Sequence, residues 1–246
     1  MATARGDLER PAFYALRGGS WRQLVTLLHP PYTAWHLSYV ALGAAAAPEL
    51  HAARLWAALG AFFLAVGIGA HALDELQGRP LRTSLSDRAL GALAIVAMGG
   101  AVGIGITGCV VVSWTLLPFV AAGAVLVPAY NLELLGGRIH GDTWFALAWG
   151  GFPALTGYWA NALTLRPAGL LVAAACTLLS VAQRRLSTPV RELRRRTVEL
   201  EGEQRLEDGS RIALSASRIA APLEGALSAT SIALVLLAAG LVAVRL

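Results

Sequence analysis

Long apolar stretches separated by short polar turns dominate the chain. Residues 32–48 form an apolar run that only His36 interrupts, and residues 55–70 form a second run without interruption. Each run can cross a bilayer if flanking residues complete the ~20 residues that a transmembrane helix needs. The first two runs therefore predict two membrane spans.

The next apolar region is too long for one crossing. No charged residue occurs between Arg88 and Glu133. These roughly 44 residues, at ~1.5 Å each, would form a helix about twice as long as the membrane is thick. The chain must therefore fold back, and we expect the turn near residues 107–113.

The whole pattern predicts an all-α fold, a polytopic membrane helical bundle with about seven transmembrane helices. The expected spans lie at residues 32–48, 55–70, from about 90 to the turn near 107–113, from that turn to about 130, 144–163, 167–182 and 226–244.

Two polar regions complete the predicted organisation. Residues 1–28 form a cytoplasmic or interfacial N-terminal segment, in which Trp21, Leu24 and Leu28 have the spacing of a short amphipathic helix. Residues 29–246 form the transmembrane domain, and they include a mixed-charge cytoplasmic loop at 183–217, expected to be partly helical, in which Asp208-Gly209 marks a turn.

Composition supports the membrane class and limits the partners. Apolar residues make up 56% of the chain and charged residues only 14%, well below the ~25% of ordinary globular domains. Cys109 and Cys176 both lie in apolar runs, so we interpret them as buried side chains and expect no disulfide. The net charge of +5 contains no lysine, and it favours membrane lipids as partners and not nucleic acid.

The arginines predict the orientation. With a cytoplasmic N-terminus, seventeen of the 20 arginines lie inside, while Arg54, Arg166 and Arg245 lie outside. Seven spans then place the C-terminus outside. The polar turns at 71–83 and 130–142 and the loop at 183–217 all fall on the cytoplasmic face.

The first turn carries candidate phosphate and metal chemistry. His71, Asp74 and Glu75 lie within one helical turn, so we expect them to share a face and hold a divalent cation such as Mg²⁺. Arg79 and Arg82 would then clamp the phosphate oxygens. The alternative is that these charges only anchor a helix end at the lipid head groups.

The second turn offers similar side chains, and the same alternative applies to it. Tyr130 precedes a polar group in which we expect substrate contacts. The group comprises Asn131, Glu133, Arg138, His140 and Asp142. In contrast, His29, His36 and His51 show no ligand spacing, and we interpret them as structural.

Several segments resemble the UbiA superfamily of intramembrane prenyltransferases. The acid-bearing end of the second span followed by Arg79-Pro80-Leu81 is similar to the first aspartate-rich loop of that family, and the resemblance extends over residues 25–185. Other matching segments are His29-Pro30-Pro31, Pro128-Ala129-Tyr130, the run at 145–151 and Leu155-Thr156-Gly157-Tyr158. The resemblance implies a cavity open to the cytoplasm, Mg²⁺-diphosphate bound by aspartates, and a prenyl chain among apolar helices.

The chain departs from the family pattern in its acids and in its expected seven spans, where the family usually has nine. The family's Asn-x-x-x-Asp-x-x-x-Asp positions are Ala70, Asp74 and Gly78, the usual lysine near Leu134 is missing, and residues 182–189 contain no acid where a second aspartate-rich loop is expected. Asp74 and Glu75 remain as the metal ligands, with Tyr130 as a third catalytic candidate. We hypothesise that a cluster of Arg184, Arg185 and Arg191 replaces one metal site.

Three functions are compatible with these features. The first is a prenyltransferase-like enzyme that transfers or rearranges the prenyl group of an isoprenoid diphosphate, with a lipophilic or small acceptor. The second is a UbiA-like protein that has lost catalysis and binds a lipid or a membrane-protein partner. The third is a small transporter, although His36 is the only ionisable residue expected at mid-membrane.

Overall fold

Helices dominate the structure. The computed structural model describes residues 10–16 and 18–246; Arg5 and Arg17, which count among the predicted inside arginines, lie outside these residues. The helices are α1 (Ser20–Leu27), α2 (Pro30–Ala45), α3 (Ala52–Gly78), α4 (Asp87–Val111), α5 (Leu117–Asn131), α6 (consecutive stretches Asp142–Ala146, Leu147–Gly151 and Phe152–Ala162), α7 (Pro167–Arg195) and α8 (Ala216–Arg245). Single 3₁₀ turns occur at Trp114–Leu116 and Leu135–Gly137.

Five helices are long and apolar enough to cross a membrane, which supports an integral membrane protein with an all-α bundle. They are Ala52–Gly78, Asp87–Val111, Trp114–Asn131, Pro167–Arg195 and Ala216–Arg245. The other two predicted spans correspond to α2, which has only 16 residues, and to α6, and neither belongs to this set.

Helices α2 and α6 nevertheless form the tightest contact of the bundle. A Cβ atom on Gly43 would lie 1.9 Å from the carbonyl oxygen of Ala154, and one on Gly157 would lie 2.1 Å from that of Val40. Glycine is required at both positions, because any side chain would collide with the facing backbone. The neighbouring Tyr158 is completely buried, with its ring against Gly169 of α7, so this half of the bundle is closely packed.

Two helices contain a wider π-helical stretch, and a histidine accompanies each. The stretch in α3 runs over Phe63–Ala70, and the one in α6 over Leu147–Gly151. His71 Nδ1 lies 3.1 Å from the carbonyl oxygen of Gly67, and His36 Nδ1 lies 2.7 Å from that of Trp149. Because a carbonyl only accepts, both rings donate from Nδ1. Such stretches are frequent at functional sites.

The polar region at 183–217 was predicted as a partly helical loop, and its first part is a continuous helix. Helix α7 continues through its first part to Arg195, and Arg194 forms a buried two-bond ion pair with Glu224 of α8. A short antiparallel ribbon follows, with β1 at Glu203–Arg205 and β2 at Arg211–Ala213. The predicted turn at Asp208-Gly209 joins the strands and is confirmed by the bond from Ser210 N to Asp208 Oδ1.

The N-terminal segment contains the predicted short helix. Helix α1 follows an irregular stretch at residues 10–16, and Trp21 is 63% exposed on its surface. The backbone of Leu16 donates to Thr26 Oγ1, and Arg195 Nε donates to the carbonyl oxygen of Pro11. The first bond ties residues 10–16 to α1, and the second ties them to the end of α7.

Candidate functional site

A polar cavity of about 170 Å³ lies at the end of the bundle where α7 becomes charged. At ~30 Å³ per water molecule, it is large enough for a small polar group. The N-terminal stretch, the start of α2, the ends of α3 and α5, the start of α6 and the end of α7 supply its walls. The polar side chains lining it are Tyr14, His29, Tyr32, His36, His71, Asp74, Tyr130, Asn131, His140, Gln183, Arg184, Ser187, Arg191 and Arg195.

Helix α7 contributes the cationic wall. Arg184, Ser187, Arg191 and Arg195 recur every three or four residues, so they share the helix face that borders the cavity. Arg184 Nε lies 2.7 Å from Asp142 Oδ1, and its guanidinium lies 5.1 Å from the ring centre of Phe145. Arg191 donates to the hydroxyl of Thr188 over 3.1 Å. The result is three positive charges along one side of the cavity.

His29, which precedes α2, also lines the cavity. It stacks on His71 with ring centres 4.1 Å apart, and its Nδ1 lies 2.6 Å from the Tyr14 hydroxyl. Burial, with added repulsion from His71 and the arginines, lowers the pKa of His29 well below its usual range. Burial likewise raises the pKa of Tyr14. Both side chains are therefore neutral at pH 7.

Three buried polar atoms on the cavity wall have no hydrogen-bond partner among the residues that the structure describes. They are His29 Nε2, Tyr130 Oη and Gln183 Oε1, and the three side chains are only 7%, 5% and 2% exposed, respectively. Buried polar groups are normally paired, since leaving one unpaired costs about 1–3 kcal/mol. Their convergence on one cavity indicates a polar ligand.

The two predicted metal ligands are separated. Asp74 lines the cavity, whereas the carboxyl group of Glu75 is completely buried elsewhere and accepts bonds from Leu81 N, Thr83 N and Thr83 Oγ1 at 2.8–2.9 Å. Within residues 10–16 and 18–246 no group of three or more histidine, cysteine or acidic side chains is arranged to hold a metal ion. One carboxylate among guanidinium groups does not fit Mg²⁺, which prefers several oxygen ligands.

The predicted phosphate clamps of the first turn lie outside the cavity. Arg79 donates to the carbonyl oxygens of Thr83 and Leu85 and to Asp87, so its guanidinium fastens its own loop. Arg82 is exposed to solvent. Of the polar side chains of this turn, His71 and Asp74 line the cavity, together with the ring of Pro80.

The second turn is divided in the same way. Tyr130 and Asn131 line the cavity, and Asn131 Nδ2 donates to the carbonyl oxygen of Val127 over 2.7 Å. Glu133 and Arg138 are exposed outside it. Of the neighbouring predicted pair on α7, Arg184 faces the cavity, but Arg185 is exposed.

An apolar cavity of about 150 Å³ adjoins the polar one. Helices α3, α4, α5 and α6 form its walls, and α6 contributes Trp149, Phe152, Thr156 and Ala160 at helical spacing. Val66 and Trp149 line both cavities. The two cavities therefore meet at the π-helical stretches of α3 and α6.

The sequence interpretation missed seven polar side chains of the cavity, among them Tyr32 in the first predicted span and Ser187 in the predicted mixed-charge loop. Tyr14 belongs to an irregular segment, and His29 and His36 were interpreted as structural. Gln183 and Arg195 were included only in the predicted mixed-charge loop. The sequence signal that could have identified the residues of α7 is the three-to-four-residue spacing from Arg184 to Arg195, because this spacing indicates one face of a helix.

Comparisons with known proteins do not assign a family to this chain. No protein-family model, no curated protein and no solved structure matches it. The resemblance to the UbiA superfamily stays a prediction from the sequence.

Proposed function

We propose that this protein is a UbiA-like integral membrane enzyme that acts on an isoprenoid diphosphate. The diphosphate occupies the polar cavity, and the prenyl chain occupies the apolar cavity. One observation carries the proposal: the two cavities share the wall formed by Val66 and Trp149. An amphiphilic molecule with an anionic head and an apolar chain fits this arrangement.

The polar cavity suits a multiply charged anion. Arg184, Arg191 and Arg195 border it, and within residues 10–16 and 18–246 Asp74 is the only acidic side chain on its wall. Guanidinium groups bind phosphate oxygens through short charge-assisted hydrogen bonds.

The apolar cavity suits a hydrocarbon chain. Arg54 and Thr156 are the only side chains with polar groups on its wall besides Trp149. Thr156 donates to the carbonyl oxygen of Phe152 within its own helix, and Arg54 points to the carbonyl oxygens of Ala160 and Asn161. The remaining wall offers aliphatic and aromatic surface.

The chemistry follows from the charges. The bond between the allylic carbon and the diphosphate oxygen breaks, and its electron pair leaves with the diphosphate. Guanidinium groups stabilise this developing charge, and the buried hydroxyl of Tyr130 donates to a diphosphate oxygen. A lipophilic or small acceptor then bonds to the allylic carbon and loses a proton, which the unprotonated Nε2 of a cavity histidine such as His36 accepts, since the Nδ1 of that ring donates to the carbonyl oxygen of Trp149.

The membrane arrangement belongs to the same proposal. Helices α2 and α6 cross together with the five long helices, because each begins beside the polar cavity and ends at the opposite side of the bundle. There His51 N donates to Asn161 Oδ1, and Arg245 donates to the carbonyl oxygen of Ala47. The N-terminus and the polar cavity then face the cytoplasm, and the C-terminus lies outside.

Binding measurements test the shared occupancy of the two cavities. Gly123 lines the apolar cavity, and its position has room for a larger side chain, with Phe152 3.7 Å away. We expect Gly123→Leu to weaken binding of labelled geranylgeranyl diphosphate by about tenfold, since it fills space needed by the chain. Binding of inorganic diphosphate should not change.

The matched control is Gly103→Leu, at an exposed position of α4 with open space around it. It should leave both affinities unchanged. Equal binding of geranylgeranyl diphosphate by wild type and Gly123→Leu would refute the assignment of the chain to the apolar cavity.

Binding without catalysis is the second candidate function. The observation that favours it is that, among the described residues, Asp74 is the one carboxylate on the polar cavity. The second predicted metal ligand, Glu75, accepts hydrogen bonds from its own loop. Release of labelled diphosphate from a prenyl diphosphate distinguishes the two: an enzyme releases it in the presence of an acceptor, whereas a binding protein retains the intact molecule.

A further inference from the structure

We infer that the polar cavity binds the diphosphate without a divalent cation, because guanidinium groups replace the metal. This inference rests on the proposed function, since it concerns the same ligand and the same cavity. It adds that the site needs no metal ion to bind the diphosphate. The charges, the unpaired donors and the metal-ligand geometry of the cavity each support it.

The cavity has excess positive charge. Arg184 is paired with Asp142, which lies at the surface and is 78% exposed. In the part of the chain that the structure describes, Arg191 and Arg195 bond only to neutral oxygens, those of Thr188 and Pro11. Asp74 is the acidic side chain that the described residues place on the same wall, so one carboxylate faces three guanidinium groups. Partly buried charges that are incompletely balanced are unfavourable, and an anion in the cavity balances the excess.

Two uncharged donors complete an anion site. His29 Nε2 and Tyr130 Oη are buried on the wall and lack partners. A hydroxyl donates, and the imidazole donates from Nε2 when the proton is on that nitrogen, which is the tautomer that an anion selects. Diphosphate oxygens accept such bonds, so a bound diphosphate satisfies atoms that the protein leaves unpaired.

The same wall is unsuited to a divalent cation. Among the residues that the structure describes, Asp74 is the only carboxylate on it, and Arg191 and Arg195 line the same cavity. Both oxygens of Glu75 already accept hydrogen bonds from the loop at 81–83. Three guanidinium charges also repel Mg²⁺, which needs near-octahedral oxygen ligands.

The first test uses the wild-type chain in detergent and labelled geranylgeranyl diphosphate. Its dissociation constant is measured with excess EDTA and, separately, with excess Mg²⁺. We expect the two values to agree within about twofold, because the charge-assisted hydrogen bonds that determine affinity come from the protein.

Variants then distinguish the contribution of a guanidinium group to the affinity from that of the carboxylate. Arg191→Gln should weaken binding in EDTA by about tenfold or more, since it removes a charge-assisted bond. Its control is Arg185→Gln, which changes an exposed arginine of the same helix and should not alter the affinity. Asp74→Asn should tighten binding, because it removes a negative charge that repels the diphosphate.

The outcomes are distinct. Binding in EDTA, with tighter binding by Asp74→Asn, supports the inference. Binding that requires Mg²⁺ and is lost in Asp74→Asn overturns the inference and leaves the proposed function standing. Absence of binding under both conditions overturns the proposed function itself.

Discussion

The loop after α3 and the end of α7 both carry clustered charges, but they use them differently. In the loop, Glu75 binds the backbone of Leu81 and Thr83, and Arg79 binds the backbone of the same loop and Asp87. On α7, the guanidinium groups of Arg191 and Arg195 face a cavity, with few partners.

The difference separates charges that build the fold from charges that meet a ligand. Charges saturated by their own loop fix its conformation, as the left-handed φ of Arg79 at 53° illustrates. Charges that line a cavity without ion partners are available to a ligand. The two regions therefore differ in what mutation should change: stability for the loop and affinity for α7.

Replacement of Glu75 should produce the largest loss of stability. Glu75→Gln keeps the size of the side chain but turns one acceptor into a donor, so either Leu81 N–H or the amide group of Thr83 loses its partner inside the protein. We expect the free energy of unfolding to fall by about 3 kcal/mol, seen as a lower thermal midpoint in detergent.

The control for this prediction is Glu133→Gln. Glu133 lies in an exposed turn, and its carboxylate approaches only His140, at 3.9 Å. It should shift the stability by no more than about 0.5 kcal/mol. If Glu75→Gln keeps the wild-type midpoint, or weakens diphosphate binding in the folded protein, the separation between loop and cavity is wrong.

Removal of one buried hydroxyl should change affinity and not stability. Tyr130→Phe deletes an oxygen that has no partner in the free protein, so we expect an unchanged or slightly higher thermal midpoint. In the complex the same hydroxyl donates to a diphosphate oxygen, and its loss should weaken prenyl diphosphate binding by about three- to tenfold.

Tyr158 provides a matched comparison. It is also a buried tyrosine whose hydroxyl has no partner among the described residues, but its ring packs against Gly169 of α7 and lines neither cavity. Tyr158→Phe should preserve the affinity. Equal effects of the two substitutions on binding would show that Tyr130 does not contact the ligand.

The sequence predicts the helices well and the site only in part. Apolar runs identify the long helices, because burial in lipid requires continuous apolar surface. The fold-back between α4 and α5 occurs close to the expected place, with α4 ending at Val111. The end of α7 was predicted as part of a mixed-charge loop, since its arginines dilute the apolar signal although their spacing is helical.

The adjacent acids show why the site was harder to predict. Asp74 and Glu75 are neighbours, and successive residues of a helix point about 100° apart, so only one of them can face a given cavity. His29 and Tyr14 contribute through contacts across the fold, which no local pattern contains. Adjacent residues should therefore be assigned to separate faces before a metal site is inferred.

The smallest expected effect concerns acid stability at the cavity wall. Because burial lowers the pKa of His29 below the usual value of about 6.5, the unfolded chain binds a proton at this residue more readily than the folded chain does. The stabilising contribution is therefore complete above about pH 6.5 and is lost as pH falls, at no more than about 1.4 kcal/mol per pH unit.

His29→Gln should remove this part of the slope. The thermal midpoint is measured between about pH 7.5 and pH 5.5 in wild type, in His29→Gln and in His51→Gln. The last variant is the control, because His51 is an exposed histidine on the opposite side of the bundle. We expect His29→Gln to flatten the acid branch and His51→Gln to leave it unchanged. Parallel curves for wild type and His29→Gln would show that this histidine does not resist protonation, and the proposal that it is neutral on the cavity wall would then be wrong.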